Sequence, residues 1–353
     1  MSDVYFKSVD SIGPSQTQID HVKELYPKIS PVKEGDLVAI KIHPGEYGNT
    51  THIHPAIVRA VVDMVKDDGG IPFVVDTTVL YNGMRFNAAD ALWTASVNGF
   101  TQESMNAPVI IGDGLLGDES VTVKINGEEL KQTTVASAIA KADSMIVLSH
   151  VKGHPATGFG GSIKNLGMGC LDKDGKTDCH KVGVPTIDPE KCVGCETCID
   201  MCAWEAIRME NGKAVVDKEL CRGEGFCVDS CPEEAIVPPE NFTDSLQKRI
   251  GEASIATINS LSGRIGYINW IFDLTLGCDC FGFYTPSFSK DVGTLASKDP
   301  VAIDMASINL INSKMKEHGT KFTMKDVWGV DPIIQVDAAE KIGAGSGKYN
   351  LIK

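Results

Sequence analysis

Residues 36–80 read DLVAIKIHPGEYGNTTHIHPAIVRAVVDMVKDDGGIPFVVDTTVL, and the pattern inside them sets the fold class. DLVAIKI is an apolar run of strand length. HPAIVRAVVDMVKDDGG repeats its apolar residues at three- and four-residue spacing and stops at Gly69 and Gly70, which marks an amphipathic helix. PFVVDTTVL is the next strand. A buried strand, a helix and a second buried strand form a crossover unit, whose two strands run parallel.

The same alternation continues outward. AADALWTASVNGF is helical and closes on Gly99, APVIIGDG is strand-like, VTVKINGEEL suggests a small hairpin around Asn126 and Gly127, and VASAIAKADSMIVLSHV gives helix then strand. Further on, NFTDSLQKRIGEASIATINS reads as a helix and IGYINWIF and VGTLAS as strands. PVAIDMASINLINSKMKEHG reads as a long helix with Pro300 in its first turn. This predicts an α/β fold: a mostly parallel sheet with helices on both faces. Ligands of such sheets gather beyond the carboxyl ends of the strands. Lys41, His43, Asp76, His150, Lys152 and His154 follow predicted strands, as do Cys278–Asp279–Cys280 and Ser297–Lys298–Asp299. All are expected to share one address.

The alternation breaks between residues 186 and 240. There the chain writes C-x2-C-x2-C-x3-C from Cys192 to Cys202, then C-x5-C-x3-C-P from Cys221 to Pro232. Zinc favours two C-x2-C pairs and does not ask for triplets at three-residue spacing. Disulfides want an oxidising compartment, and the opening MSDVYFKSVD lacks the basic start and apolar stretch of a signal peptide.

The segment resembles the bacterial two-cluster ferredoxins. In that pattern three cysteines of one run hold one cubane corner by corner, and the fourth crosses to the other cluster. The resemblance implies a 4Fe-4S cluster on Cys192, Cys195, Cys198 and Cys231, and a second on Cys202, Cys221 and Cys227, with Glu224 where the fourth cysteine is expected. Ala203 replaces a turn proline. The second site therefore suits a 4Fe-4S cluster with Glu224 or solvent on its unique iron, or a 3Fe-4S cluster. Residues 186–240 are expected to form an inserted α+β ferredoxin-like domain within an α/β domain made of 1–185 and 241–353.

A second candidate site rests on the loop GHPATGFGGSIKNLGMGC and the turn Cys278–Asp279–Cys280. Glycines allow close backbone approach to a ligand, but no phosphate-loop pattern is present. Two thiolates separated by one residue can face one metal. With His43, His154 or His180, or Cys170 and Cys179, nearby, the set suits zinc, iron or nickel. We take Cys278, Cys280 and His180 as candidate metal ligands. Lys164, His154 and His43 are the candidate catalytic groups, for charge stabilisation and proton movement on a small-molecule substrate.

The net charge of the 353-residue chain is −14, and residues 186–240 alone hold 13 acidic against 5 basic side chains. That acidic surface excludes nucleic acid and fits a redox partner with a basic docking patch. No apolar run reaches the ~20 residues a membrane span needs. The expected setting is the cytoplasm of an organism living with little oxygen, and homo-oligomers remain open.

The stretches KIHPGEYGNTTHIHP, PFVVDTTVLYNGMRFNA, LSHVKGHPATGFGGSIKNLGMGC, GCDCFGF and ASKDPVAIDMAS resemble the prokaryotic iron-sulfur proteins grouped as domain of unknown function 362, some of which carry an inserted ferredoxin. The resemblance spans essentially the whole chain. It places His43, Glu46, Asp76, Lys152, His154, Lys164, Asn165, His180, Cys278, Cys280, Asp299 and Asp304 in the family's motifs without giving them roles. The expected function is iron-sulfur electron transfer to a partner or to a site in the α/β domain. The alternative is a metal-dependent reductase or other redox enzyme at the cleft between the two loops. A third reading is a sensing role in which cluster loss at Glu224 switches a partner interaction.

Overall fold

Every residue of SMIVLSH, Ser144–His150, is buried, and so is every residue of IGYINWI, Ile265–Ile271. Strands buried on both faces belong at the centre of a sheet that is covered twice. These two pair in parallel, from Ile265 opposite Met145 to Trp270 opposite His150. In the computed structural model, which describes residues 1–353, they are the middle of an eight-stranded sheet. Its strands are β1 (Ser2–Ser8), β2 (Leu37–Lys41), β3 (Ile71–Asp76), β4 (Val109–Ile111), β5 (Ser144–His150), β6 (Ile265–Ile271), β7 (Gly293–Ser297) and β8 (Tyr349–Ile352). The spatial order is β8-β1-β7-β6-β5-β2-β3-β4.

Helices cover it on both faces, among them α1 (Gln18–Ile29), α2 (Pro55–Asp67), α3 (Ser162–Gly167), α4 (Lys173–His180), α5 (Phe242–Ser260), α6 (Pro300–Glu317) and α7 (Ile333–Lys341), while the expected helix Ala88–Val97 packs against β4. Strand alternation divides the core between them. Ile146 and Leu148 pack with Val22 and Leu25 of α1 and Val58 and Val61 of α2. Met145 and Val147 join the opposite cluster with Ile250 of α5 and Ile303 of α6. The fold is the mostly parallel α/β sheet, covered on both faces, that the pattern predicts.

β7 departs from that expectation, because it runs antiparallel to both β1 and β6. The long connection 272–292 turns the chain back before β7 begins, so Ser297, Lys298 and Asp299 emerge at the opposite end of the sheet from the other post-strand residues. Asp299 instead caps α6, accepting from the Val301 and Ala302 amides at 2.9 and 3.0 Å. It also accepts from Ser2 Oγ and the Ser346 amide, tying both termini to the helix. The hairpin near Asn126 is wider than expected: Ser120–Lys124 pairs with Gln132–Ala136. The Glu252 carboxylate holds the connecting loop through the amides of Glu128, Glu129 and Leu130.

α3 and α5 cross closely enough to need a glycine. A Cβ on Gly167 would stand 2.0 Å from the Ile250 carbonyl oxygen. Gly167→Ala should therefore destabilise the protein by about 2–3 kcal/mol, seen as a lower urea midpoint at unchanged m-value.

The cysteine-rich segment leaves the sheet between α4 and α5. It contains the antiparallel pairs Thr186–Ile187 with Ile236–Val237 and Ile207–Glu210 with Lys213–Val216, and the helical turns Thr197–Asp200 and Phe226–Asp229. Its own core is six buried residues, Cys192 and Cys198 among them. Trp204 donates its indole N–H to the Leu80 carbonyl at 2.9 Å, and Phe226 stacks on Tyr81 with ring centroids 5.3 Å apart. No helix is long and apolar enough to cross a membrane.

Candidate metal centre and its cavity

A cavity of about 380 Å³ lies beyond the carboxyl ends of β2, β3 and β5. Lys41, His43, Asp76, His150, Lys152 and His154 all line it, together with Cys278 and Cys280 from the loop after β6. The Ser297–Asp299 turn does not.

Its walls are held by buried ion pairs. Lys41 Nζ meets Asp76 Oδ1 at 2.9 Å and donates to Asn165 Oδ1 at 2.7 Å. Arg85 bridges Asp76 and Glu46 at 3.1 and 3.2 Å and donates to the Tyr81 hydroxyl at 2.6 Å. Lys152 pairs with Asp279, whose Oδ2 also meets His150 Nδ1 at 2.9 Å. Burial opposes the charge on Asp76 and on Asp279. Neighbouring groups nonetheless hold both carboxyls below their ordinary range: Lys41, His43 and Arg85 around the first, His150 and Lys152 around the second. Lys164 is different: it lines the cavity with no carboxylate within ion-pair distance.

The glycine-rich loop folds into a small hairpin, Lys152–His154 against Gly158–Gly160. Gly153 donates its amide to the Thr275 carbonyl at 2.9 Å, and a Cβ there would sit 2.7 Å from the Leu276 carbonyl oxygen. Only glycine allows that approach, which delivers His154 to Cys278. One donor atom each from His154, Cys278 and Cys280 falls within 4.8 Å of the others. Three mixed sulfur and nitrogen donors suit a soft or borderline metal and leave a coordination position open.

The local charges favour that role. The Cys280 thiol hydrogen-bonds the Cys278 sulfur and, against the cost of burial, Lys164 and His154 add to it, so Cys278 is held well below the ordinary thiol range. Burial, then Lys164, lowers His154, which favours its neutral form, and its Nδ1 accepts from the Ala156 amide at 3.1 Å. Burial brings His43 and His180 down to about 3. His180 and His43 line the same cavity but stand outside the three-residue cluster, and His180 Nδ1 has no hydrogen-bond partner. Cys170 and Cys179 lie in the apolar core, where burial pushes the Cys170 thiol up to about 11.

The seven cysteines of the 186–240 segment fall into two neighbourhoods. Cys192, Cys195, Cys198 and Cys231 surround a hollow of their own. Burial and then Cys202 and Glu224 raise Cys221; burial, Cys221, Cys202 and Glu224 raise Cys227. Mutual repulsion among closely set thiols is what a multi-metal cofactor relieves, so the donor chemistry of both groups fits an iron-sulfur cluster. Backbone amides point at the sulfurs too, Ala214 N to Cys192 Sγ at 3.4 Å and Ala235 N to Cys231 Sγ at 3.3 Å. Glu224 and Phe226 of the second group line the large cavity. Arg85, Tyr81 and Phe226 were not singled out in the sequence. An arginine placed shortly after a buried strand's end is the signal that points to Arg85.

Residues 38–309 match the family described as a domain of unknown function (DUF362). The chain belongs to the DUF362 family. No curated protein matches the sequence. Among solved structures, this DUF362 protein resembles the lactate racemase apoprotein of Thermoanaerobacterium thermosaccharolyticum at 10% identity and a TM-score of 0.39, covering 77% of this chain and 51% of that one. It resembles a Thermotoga maritima protein at 11% identity and the same TM-score, covering 73% and 51%. The DUF362 chain thus matches about half the length of either.

Proposed function

We propose that residues 186–240 are an inserted two-cluster ferredoxin-like domain that passes electrons into the α/β domain of residues 1–185 and 241–353. The receiving site is the cavity that holds His154, Cys278 and Cys280, where a small molecule is reduced or oxidised. The observation that supports this reading is one shared wall: Glu224 and Phe226 line the same cavity as the three candidate ligands. Cys192, Cys195, Cys198 and Cys231 would hold the outer 4Fe-4S cluster, and Cys202, Cys221, Cys227 and Glu224 the inner 4Fe-4S or 3Fe-4S cluster. When bound, these clusters supply one-electron transfer at low potential.

The chain's own groups then have defined tasks. His154, Cys278 and Cys280 bind zinc, iron or nickel. Lys164 stabilises negative charge beside them. His43, brought down to about 3 and facing Arg85 Nη2 at 3.2 Å, is too weak a base to take a proton near neutral pH and serves as a hydrogen-bond acceptor on the cavity wall. Trp204 and Phe226 fix the small domain against Leu80 and Tyr81, which keeps the distance between the sites constant. The acidic excess of residues 186–240 fits entry of electrons from a cytoplasmic partner with a basic patch. Transfer onward to a second protein is the other reading, favoured by the exposure of Cys195.

Anaerobically purified protein titrated with dithionite should give the EPR signals of reduced iron-sulfur clusters. A protein that stays silent at that potential would refute the proposal. Cys280→Ala should cut metal bound outside the small domain from stoichiometric to near zero while leaving the cluster signals intact, as read by metal analysis beside EPR.

A further inference from the structure

The two cysteine groups differ in composition and in what they face. The outer group has four thiols around its own hollow, with Cys195 exposed, and none of the four lines the large cavity. The inner group has three thiols, which do not line that cavity either, and Glu224, which does. The position that departs from the ferredoxin pattern is therefore the one turned inward.

Glu224 is loosely held. Its carboxylate accepts one long hydrogen bond, from the Phe226 amide at 3.4 Å, and has no cationic partner. A partly buried carboxylate without a cation is costly, and a metal would relieve it. As an iron ligand it binds less firmly than a thiolate beside sulfide-rich iron. Space for a competitor adjoins it: a Cβ built on the next residue, Gly225, meets nothing within 4 Å. Charges of both signs are left over on the cavity wall: Lys41, Arg85 and Lys152 are each matched by Asp76, Glu46 or Asp279, whereas Lys164 and Lys176 have no carboxylate within ion-pair distance and Asp229 has no cation.

From these observations we infer that Glu224 is an exchangeable ligand of the inner cluster's unique iron, and that a small oxygen-donor anion of the carboxylate class displaces it from the cavity side, with its charge held by Lys164. This rests on the iron-sulfur reading above and adds that the inner cluster is a binding site as well as a carrier. The exchange is a ligand substitution at iron, with no net redox change: one carboxylate oxygen leaves as another arrives.

The test uses full-length protein prepared anaerobically with 57Fe and oxalate as the probe. Iron and acid-labile sulfide are counted first; absence of either overturns the iron-sulfur reading and this inference with it. With clusters loaded, oxalate should change the Mössbauer spectrum of a single iron in the wild type. Glu224→Cys should keep both clusters and show no response. Lys164→Ala should weaken oxalate binding about tenfold, the loss of one charged contact, at unchanged acid-labile sulfide content. Should Glu224→Cys load poorly, Glu224→Ala supplies the second check and should bind oxalate at least as tightly as the wild type. A loaded wild type indifferent to oxalate overturns the inference. So does an oxalate response of the same size in Glu224→Cys.

Discussion

Stripping the metal from this protein should unfold residues 186–240 and leave the α/β sheet standing. The reason is the size of the cores. The sheet is flanked by clusters of 41 and 24 buried residues, whereas the cysteine-rich segment has six. Two of those six are themselves cysteines, and the pair that closes the segment, Thr186–Ile187 with Ile236–Val237, is only two residues deep. A segment of this size cannot offset its chain entropy by apolar burial, and metal ligation supplies the difference. Chelated under argon, the protein should become cleavable by trypsin within 186–240. The two flanking fragments should stay together, because β1–β5 precede the cut and β6–β8 follow it in one sheet. Amide protection in β5 and β6 should survive. An apo segment as protease-resistant as the loaded one would show that the fold does not need the clusters.

Replacing Asp279 should be nearly as damaging. Its carboxylate is fully buried and is shared by Lys152 and His150. Removing it leaves a buried ammonium with no counter-charge, a loss of about 3–5 kcal/mol for Asp279→Ala. Asp63→Ala breaks an exposed pair with Arg59 and should cost under ~1 kcal/mol. The pH dependence follows in sign. Asp279 is held ionised below the ordinary carboxylate range of about 3.9. Its contribution is present above that range and disappears as pH falls through the lower folded-state value. Asp279→Asn should therefore flatten the acid limb of the stability curve. Urea denaturation of the wild type and the three variants across that interval provides the measurement, and an Asp279→Ala protein as stable as Asp63→Ala would contradict this reading.

Much of the scaffold is legible in the sequence, because its signal is local. SMIVLSH is buried throughout and LVAIK at every residue but Leu37, and both are bounded by helices with clear ends, so their strand character follows from composition. Direction is not local. VGTLAS forms a strand as expected, yet nothing in those residues tells that the 272–292 connection reverses the chain, and with it the Ser297–Asp299 address is lost. The candidate site follows the same division. Cys278 and Cys280 announce themselves by spacing, and the structure puts His154 beside them through the contact of Gly153 with Thr275. His180, equally plausible from composition, lies elsewhere on the cavity wall. Pairings such as Lys152 with Asp279, 127 residues apart, depend on how strands are ordered, which periodicity does not encode.

The most direct test is a crystal of anaerobically prepared protein with anomalous scattering recorded at the iron, nickel and zinc edges. The account predicts iron peaks within both cysteine groups and one further metal peak bounded by His154, Cys278 and Cys280. Zinc in the cysteine groups, with no iron at either, would contradict it.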